Sequence, residues 1–211
     1  MSAHFDPIKT YAYIKGMAMG LHWNNTLQAL SFARKAHNGQ YRKSGEPYIV
    51  HPLTCASHAI ALGLHDDQIV AACLLHDVIE DCHVKTEDLP VDEATRHAVS
   101  LLSKLPVPVS QKNSYEEKYY AAIQDDKIAS IVKLIDRCNN VSTMSGVFTP
   151  EKVREYIDET NRLVMPLLRT AKDKWPEYSD PLFILKYHIA AVTDGLAAAM
   201  TAYSDTSSES V

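Results

Sequence analysis

The sequence lacks the features typical of secreted, membrane-inserted and nucleic-acid-binding proteins. Its four cysteines show no Cys-x-x-Cys spacing and no disulfide framework, so we expect reduced thiols in a cytoplasmic protein. The N-terminus has no signal-peptide pattern and no apolar run approaches about 18 residues, which predicts no membrane partner. The net charge of −5 argues against a nucleic-acid partner, because such proteins usually carry a basic surface.

The sequence has the composition and periodicity of a helical globular domain. Its 211 residues include 46% apolar and 22% charged side chains. Apolar residues recur with helical periods, and no convincing strand alternation is present. We therefore predict an all-α bundle of about eight to ten helices that forms one domain over residues 1–203. The serine-rich, acidic segment 204–211 is predicted to be disordered.

The stretch Ala71-Ala-Cys-Leu-Leu-His-Asp-Val-Ile-Glu-Asp81 is predicted to be one apolar helix with a polar end. Residues three or four apart share a helical face, so His76 is predicted to stand above Glu80 and Asp77 above Asp81. An adjacent His-Asp pair can give one nitrogen and one oxygen to a single metal ion. Burying such groups is costly unless they are paired or metallated. The alternative is a solvated helix end with a core histidine.

Two further positions can complete a metal site. His51 lies where a loop containing Gly and Pro meets a predicted helix, and Asp136 lies within another, from Lys127 to about Met144. Two nitrogens and two carboxylate oxygens suit a divalent ion of borderline hardness and leave positions open for water or phosphate. Each residue also has a simpler alternative: His51 as a helix cap, and Asp136 in a local ion pair with Arg137.

These positions carry a family resemblance. The order His51 … His76-Asp77 … Asp136 resembles the HD superfamily of metal-dependent phosphohydrolases. A narrower resemblance, to the hydrolase domain of the RelA/SpoT alarmone enzymes, rests on Arg42-Lys-Ser-Gly-Glu-Pro-Tyr-Ile-Val-His51, His76-Asp-Val-Ile-Glu-Asp81 and Val132-Lys-Leu-Ile-Asp-Arg-Cys-Asn-Asn140. The match spans roughly residues 29–168. With no room for synthetase, TGS or ACT domains, the expected type is a free-standing small alarmone hydrolase, similar to the metazoan SpoT homologue.

The resemblance implies an all-α, manganese-dependent enzyme that removes the 3′-pyrophosphate from guanosine tetra- and pentaphosphate. It implies four Mn²⁺ ligands, which are His51, His76, Asp77 and Asp136. It also implies that Glu80 and Asp81 activate or orient water, a role that a carboxylate beside a metal can fill. The alternative for these two carboxylates is exposed charge at a helix end.

The resemblance further implies a set of substrate-binding residues, which are Arg42, Lys43, Ser44, Asn140, Thr143, Tyr156 and Lys112. A guanidinium plane can stack on a purine and a lysine can serve as a point charge for phosphate. Among the lysines, Lys104, Lys112 and Lys152 are the weaker candidates, for distal phosphates, and a solvated surface role is at least as strong an alternative for each of them.

The base pocket departs from the family pattern. The common Asp-Arg-Leu-His-Asn-Met-Arg-Thr is here Asp136-Arg-Cys-Asn-Asn-Val-Ser-Thr143, so Asn139 and Ser142 replace a His and an Arg. No carboxylate in these segments is evident as a partner for guanine. We therefore predict modest purine discrimination, with the adenosine alarmone also hydrolysed.

The sequence is compatible with alternative functions of two classes. The enzyme alternatives are hydrolysis of (p)ppApp and removal of the 2′-phosphate from NADPH. The other class is a non-catalytic module that binds an alarmone or a partner, against which the intact Glu80 and Asp81 argue. The expected partner is a small-molecule nucleotide. A homo-oligomer and a functional pairing with an alarmone synthetase, as in an antitoxin-like role, are compatible with the sequence.

Overall fold

The structure is a computed structural model that describes residues 6–208, with side chains for residues 6–201. The chain divides into two compact units, Met1–Asp136 and Arg137–Val211. The helices of the first unit are α1 (Pro7–Gly20), α2 (Asn24–Ala36), α3 (Val50–Ala61), α4 (Asp67–Leu75), α5 (Val78–Cys82), α6 (Glu93–Leu102) and α7 (Lys112–Ile123). Along the chain, α8 (Lys127–Thr143) leads into the second unit, whose helices are α9 (Pro150–Glu159), α10 (Met165–Lys174) and α11 (Ser179–Ser208). Within residues 6–208 the only β-pairing is an isolated bridge between Tyr41 and Pro47, so the all-α prediction is confirmed.

The central helix of the first unit is α4. Every residue from Ile69 to Leu75 is buried, and the helix packs against α2, α3 and α6. A helix that is apolar all round is stable only when it is covered on every side, as here. The C-terminal end of α4 therefore lies in the interior of the unit, and the next residues of the chain start from there.

Two adjacent aspartates start two different helices. The Asp66 carboxylate accepts hydrogen bonds from the backbone N–H groups of Gln68 and Ile69, which caps α4 as an N-cap residue ordinarily does. The Asp67 carboxylate instead reaches α2, where it accepts the backbone N–H groups of Asn25 at 3.0 Å and Thr26 at 2.8 Å. No local sequence pattern indicates this second cap, because its donor and acceptor are about forty residues apart.

The prediction of one helix over residues 71–81 is wrong in one respect. α4 ends at Leu75 and α5 begins at Val78, with His76 and Asp77 in the turn between them. In this turn the His76 ring lies 2.8 Å from the Cys73 carbonyl through its Nδ1. His76 therefore does not stand above Glu80 on one uninterrupted helix. The backbone N–H of Asp81 still donates to the Asp77 carbonyl at 2.8 Å, so this pair remains one helical turn apart.

The second unit contains two long helical runs. A π-helical turn, Thr160–Val164, joins α9 to α10 without a break. The last helix, α11, continues to Ser208, and the remainder of the predicted disordered tail, residues 209–211, lies outside the described residues.

One helical stretch, Pro176–Thr201, is long and apolar enough to cross a membrane by length and composition alone. This corrects the expectation that no such stretch exists. Length and composition alone do not make this stretch a membrane span, and the absence of a membrane partner stays a prediction.

Candidate metal centre

Four side chains from three separate elements converge at the end of α4. His51 comes from the first turn of α3, His76 and Asp77 from the turn after α4, and Asp136 from α8. The two imidazole Nε2 atoms lie 3.1 Å apart. The Asp77 Oδ2 atom lies 3.5 Å from the His51 Nε2 and 3.1 Å from the His76 Nε2. The Asp136 Oδ1 atom lies 3.3 and 3.7 Å from the same two nitrogens.

These spacings fit the edges of a metal coordination shell. Nitrogen and oxygen ligands bound at about 2.0–2.2 Å to one ion lie about 3–3.6 Å from each other in octahedral or tetrahedral geometry. The measured separations run from 3.1 to 3.7 Å. His51, His76 and Asp136 are buried and Asp77 is partly exposed, so the group has one solvent-facing member. The four donor atoms therefore fit a divalent ion that keeps positions open toward solvent.

Each of three donors has a partner that fixes its orientation. The Cys73 carbonyl accepts the Nδ1–H of His76, which leaves Nε2 with its lone pair toward the centre. The Tyr48 hydroxyl donates to Asp77 Oδ2 at 2.8 Å, and the Lys133 ammonium donates to Asp136 Oδ2 at 3.0 Å. Because the Lys133 ammonium donates to Oδ2 of Asp136, Oδ1 faces the two histidines.

The charges of the centre are strongly coupled. Burial lowers the pKa of His76, but the carboxylates of Asp77 and Asp136 outweigh it and hold that pKa well above its ordinary value. Burial raises the pKa of Asp136, and the Lys133 ammonium with the two imidazoles more than reverses this, so the pKa lies well below its usual range.

Cys55 is a further candidate ligand in this region. His51, Cys55 and His76 are all buried, and a set of their donor atoms lies within 4.8 Å of one another. The Cys55 sulfur faces the Nδ1 atom of His51 at 3.8 Å, whereas the carboxylates surround the Nε2 atom. Burial also raises the pKa of the Cys55 thiol well above its ordinary value. Cys55 is therefore better suited to orient the His51 ring than to bind an ion as a thiolate.

The two predicted catalytic carboxylates lie on α5, next to the centre. Glu80 and Asp81 are both exposed, and Glu80 Oε2 accepts the backbone N–H of Lys104 at 3.0 Å. Although the side chain as a whole is exposed, partial desolvation of the carboxylate raises the pKa of Glu80. The Lys104 N–H lowers this pKa, but the nearby carboxylates of Asp77 and Asp81 raise it further, and the net shift is upward. A carboxylate with a raised pKa is a stronger base, when ionised, than an ordinary one.

The predicted substrate loop of the first unit is a tight turn. The Arg42 N–H donates to the Glu46 carbonyl and the Gly45 N–H donates to the Arg42 carbonyl, which places Lys43 and Ser44 at the exposed tip. Gly45 has a φ of +84°, a conformation that other residues rarely adopt. Lys112 is exposed at the start of α7, where it lies 3.9 Å from the Glu116 carboxylate.

The other predicted substrate residues belong to the second unit. Asn140 is partly exposed, and the Thr143 hydroxyl donates to the Asn139 carbonyl of its own helix. The Tyr156 ring packs under the Arg137 guanidinium, whose carbon lies 4.0 Å from the ring centroid. Arg137 is fully buried and donates to the Glu159 carboxylate at 2.7 Å.

Sequence reasoning missed Tyr48 and Lys133, the residues that orient the two aspartates. A signal existed for Lys133, because a lysine three residues before Asp136 on a helix lies on the same face. Tyr48 lies three residues before His51 within a quoted motif, but its pairing with Asp77 depends on tertiary structure.

Comparisons with known proteins agree with this architecture. A family model described as the HD domain matches residues 29–175. Similar curated proteins include guanosine-3′,5′-bis(diphosphate) 3′-pyrophosphohydrolases from Vibrio cholerae, 38% identical over 148 residues and 66% of this chain, and Haemophilus influenzae, 40% identical over 142 residues and 64% of this chain. The chain spans about a fifth of these relatives, since each match covers 21% of their length.

A solved structure is also similar to this chain. It belongs to a metazoan orthologue of SpoT described as hydrolysing ppGpp, and it matches with a TM-score of 0.64 and 17% identity over 82% of this chain and 95% of that one. The predicted resemblance to HD phosphohydrolases of the SpoT type is therefore confirmed. Since the family match covers residues 29–175, more than half of the sequence, the chain belongs to the HD domain family.

Proposed function

We propose that the chain is a metal-dependent 3′-pyrophosphohydrolase of guanosine alarmones. In this reaction (p)ppGpp and water give GDP or GTP and pyrophosphate, which lowers the stringent-response signal. The observation that carries the proposal is the convergence of His51, His76, Asp77 and Asp136 donor atoms within 3.1–3.7 Å beside two exposed carboxylates. The names of the similar curated proteins support the choice of substrate.

The two histidines and two aspartates would hold the ion, and their mixed nitrogen and oxygen set suits Mn²⁺. When bound, the ion would supply Lewis-acid stabilisation of negative charge on phosphoryl oxygens and acidify a neighbouring water. The Tyr48 and Lys133 contacts keep the aspartate oxygens turned toward this position before any ion arrives. This preorganisation reduces the conformational entropy lost on binding.

Glu80 and Asp81 act on the water. We assign Glu80 as the base that takes a proton from the attacking water and Asp81 as the group that orients it. The water oxygen forms a bond to the phosphorus attached to the ribose 3′-oxygen. The bond between that phosphorus and the 3′-oxygen breaks, the 3′-oxygen gains a proton, and pyrophosphate leaves.

The remaining residues bind the nucleotide. Arg42 and Lys43 stack on the base or neutralise neighbouring phosphates, and the exposed turn with Ser44 and Gly45 lets its backbone approach the ligand. We assign nucleotide binding also to four further residues, which are Asn140, Thr143, Tyr156 and Lys112.

Product analysis tests the proposal. Purified protein is depleted of metal, reloaded with Mn²⁺ and incubated with ppGpp, pppGpp, ppApp and NADPH. We expect GDP or GTP and pyrophosphate in equal amounts from the guanosine alarmones, with kcat/KM for ppApp within a thousandfold of that for ppGpp. Release of orthophosphate from NADPH alone, or binding of ppGpp without turnover, would contradict the proposal.

A variant pair separates chemistry from binding. The Glu80→Gln/Asp81→Asn protein should keep its fold, its metal and its affinity for ppGpp while turnover falls by about two orders of magnitude or more. The matched control is Glu87→Gln/Asp88→Asn, which removes exposed acidic charge seven residues further along the chain and should leave turnover unchanged. A native rate in the first variant would mean that these carboxylates are only surface charge.

A further inference from the structure

The α11 helix is apolar on two opposite faces. One face packs inside the second unit against α9 and α10 through Leu182, Leu185 and Ile189, all buried. The opposite face exposes Phe183 and Tyr187, with 60% and 70% of their surface open to solvent. Ile184 adds a third apolar side chain that is 49% exposed. Helices with apolar residues all round are normally covered on all sides.

The exposed face extends well beyond these three residues. Ala191, Gly195 and Ala198 follow at helical spacing and are exposed as well, and only 22% of the most apolar window of Pro176–Thr201 is buried. Exposed apolar patches of this kind typically mark interaction surfaces.

Gly195 leaves this face without a side chain in the middle of the helix. Glycine is unfavourable in the middle of a helix relative to alanine, and a Cβ added at Gly195 would meet nothing within 4 Å. The fold of the single chain therefore gives no reason for a glycine here. A second backbone that approaches this face would provide one.

The face is complementary to itself in the antiparallel direction. When two copies of α11 run antiparallel about a twofold axis beside Ala190 and Ala191, Phe183 of one copy lies opposite Ala198 of the other. In the same register Tyr187 lies opposite Asp194, so large side chains meet small or hydrogen-bonding ones. The exposed Lys186 precedes Tyr187, the residue that lies opposite Asp194 of the other copy. The Lys186 ammonium of each copy is therefore close to the Asp194 carboxylate of the other.

We propose that α11 is a self-association surface that pairs antiparallel with α11 of a second copy of this chain. The interface is isologous, as twofold dimers require, with the aromatic end of each helix packed against the small-residue end of the other. Large and small side chains, and the opposite charges of Lys186 and Asp194, are placed symmetrically about the twofold axis. This arrangement favours a second copy of the chain over a lipid surface, because a lipid surface would not select for Lys186 and Asp194.

Sedimentation equilibrium of the purified full chain tests the proposal. We expect a dimer at micromolar concentration. Ala191→Glu, which brings two carboxylates together at the axis, should raise the dimer dissociation constant by at least about tenfold. Asp194→Lys should do the same by facing Lys186, and the double variant Lys186→Asp/Asp194→Lys should restore the wild-type constant within about threefold. Lys172→Glu, an exposed charge reversal on α10, is the control. A monomeric wild-type protein, or a double variant no tighter than the single ones, overturns the proposal.

Cysteine cross-linking tests the register. Oxidised Ala191→Cys should form a disulfide-linked dimer in high yield. Ala198→Cys should not, because antiparallel helices would separate its two copies by about 20 Å. Circular dichroism and thermal unfolding verify that each variant folds. Efficient cross-linking at residue 198 indicates a parallel pair and overturns the register. Flotation of monomeric protein with phosphatidylcholine vesicles, unaffected by the charge variants, would assign the face to a membrane instead.

Discussion

Lys133→Met is expected to destabilise the metal-free protein through Asp136. The Lys133 ammonium lies 3.0 Å from Asp136 Oδ2, and the two residues are only 8% and 6% exposed. At this distance the gross attraction is about 5 kcal/mol for an effective dielectric constant of about 20. Loss of one partner of a buried pair costs about 3–5 kcal/mol when the remaining charge has no compensation. Here His51 and His76 face the other oxygen, so we expect a net loss of about 2–3 kcal/mol.

Urea unfolding in the presence of a chelator measures this loss. A decrease of about 2–3 kcal/mol corresponds to a fall of about 5–10 °C in Tm for a chain of this size. The control is Lys127→Met, which removes a more exposed lysine on the same helix, 3.5 Å from the Asp66 carboxylate, and should cost less than about 1 kcal/mol. A Lys133→Met protein within about 0.5 kcal/mol of wild type would refute the inference that Lys133 neutralises Asp136.

Three further predictions concern single contacts. Tyr48→Phe removes the hydroxyl that donates to Asp77 and should weaken metal binding by about tenfold or more in calorimetry, with helix content unchanged. Glu80 must be ionised to act as a base and its pKa is raised, so kcat/KM should fall on the acid side with a midpoint above that of an ordinary glutamate, and a Glu80→Gln protein should lose this limb of the profile. Asp67→Ala removes both N–H caps from α2 and should cost about 1–2 kcal/mol in unfolding experiments while metal affinity stays within about twofold.

The sequence predicts the helices and the family because both depend on local patterns. Capping residues such as Asp66 and apolar periodicity lie within a few residues of what they determine. The motifs around His51, His76 and Asp136 identify the family for the same reason, and the structure brings these side chains together.

The parts that sequence could not predict depend on distant contacts. Asp67 looks like a second capping residue for its own helix, but its carboxylate reaches α2 because α2 and α4 pack together. The turn at His76 and Asp77 interrupts a segment whose residues would support a continuous helix. The role of Tyr48 follows only from the folded structure, in which its hydroxyl lies 2.8 Å from Asp77 Oδ2.

The apolar pattern of α11 shows a related limit. Helical periodicity predicts that a helix forms, but it does not say which of two apolar faces the chain itself covers. Leu185 and Phe183 are similar in apolar character, yet the first is buried and the second is 60% exposed. Only the packing of α9 and α10 distinguishes them.

Manganese titration of the chelator-treated protein, followed by electron paramagnetic resonance, tests whether these four side chains bind a metal ion. We expect one tightly bound ion per chain, with binding lost in His76→Ala and Asp136→Asn. Binding should be retained in Glu80→Gln, which removes a nearby carboxylate that is no ligand. Equal Mn²⁺ binding by wild type, His76→Ala and Asp136→Asn would show that these side chains converge for some reason other than metal binding.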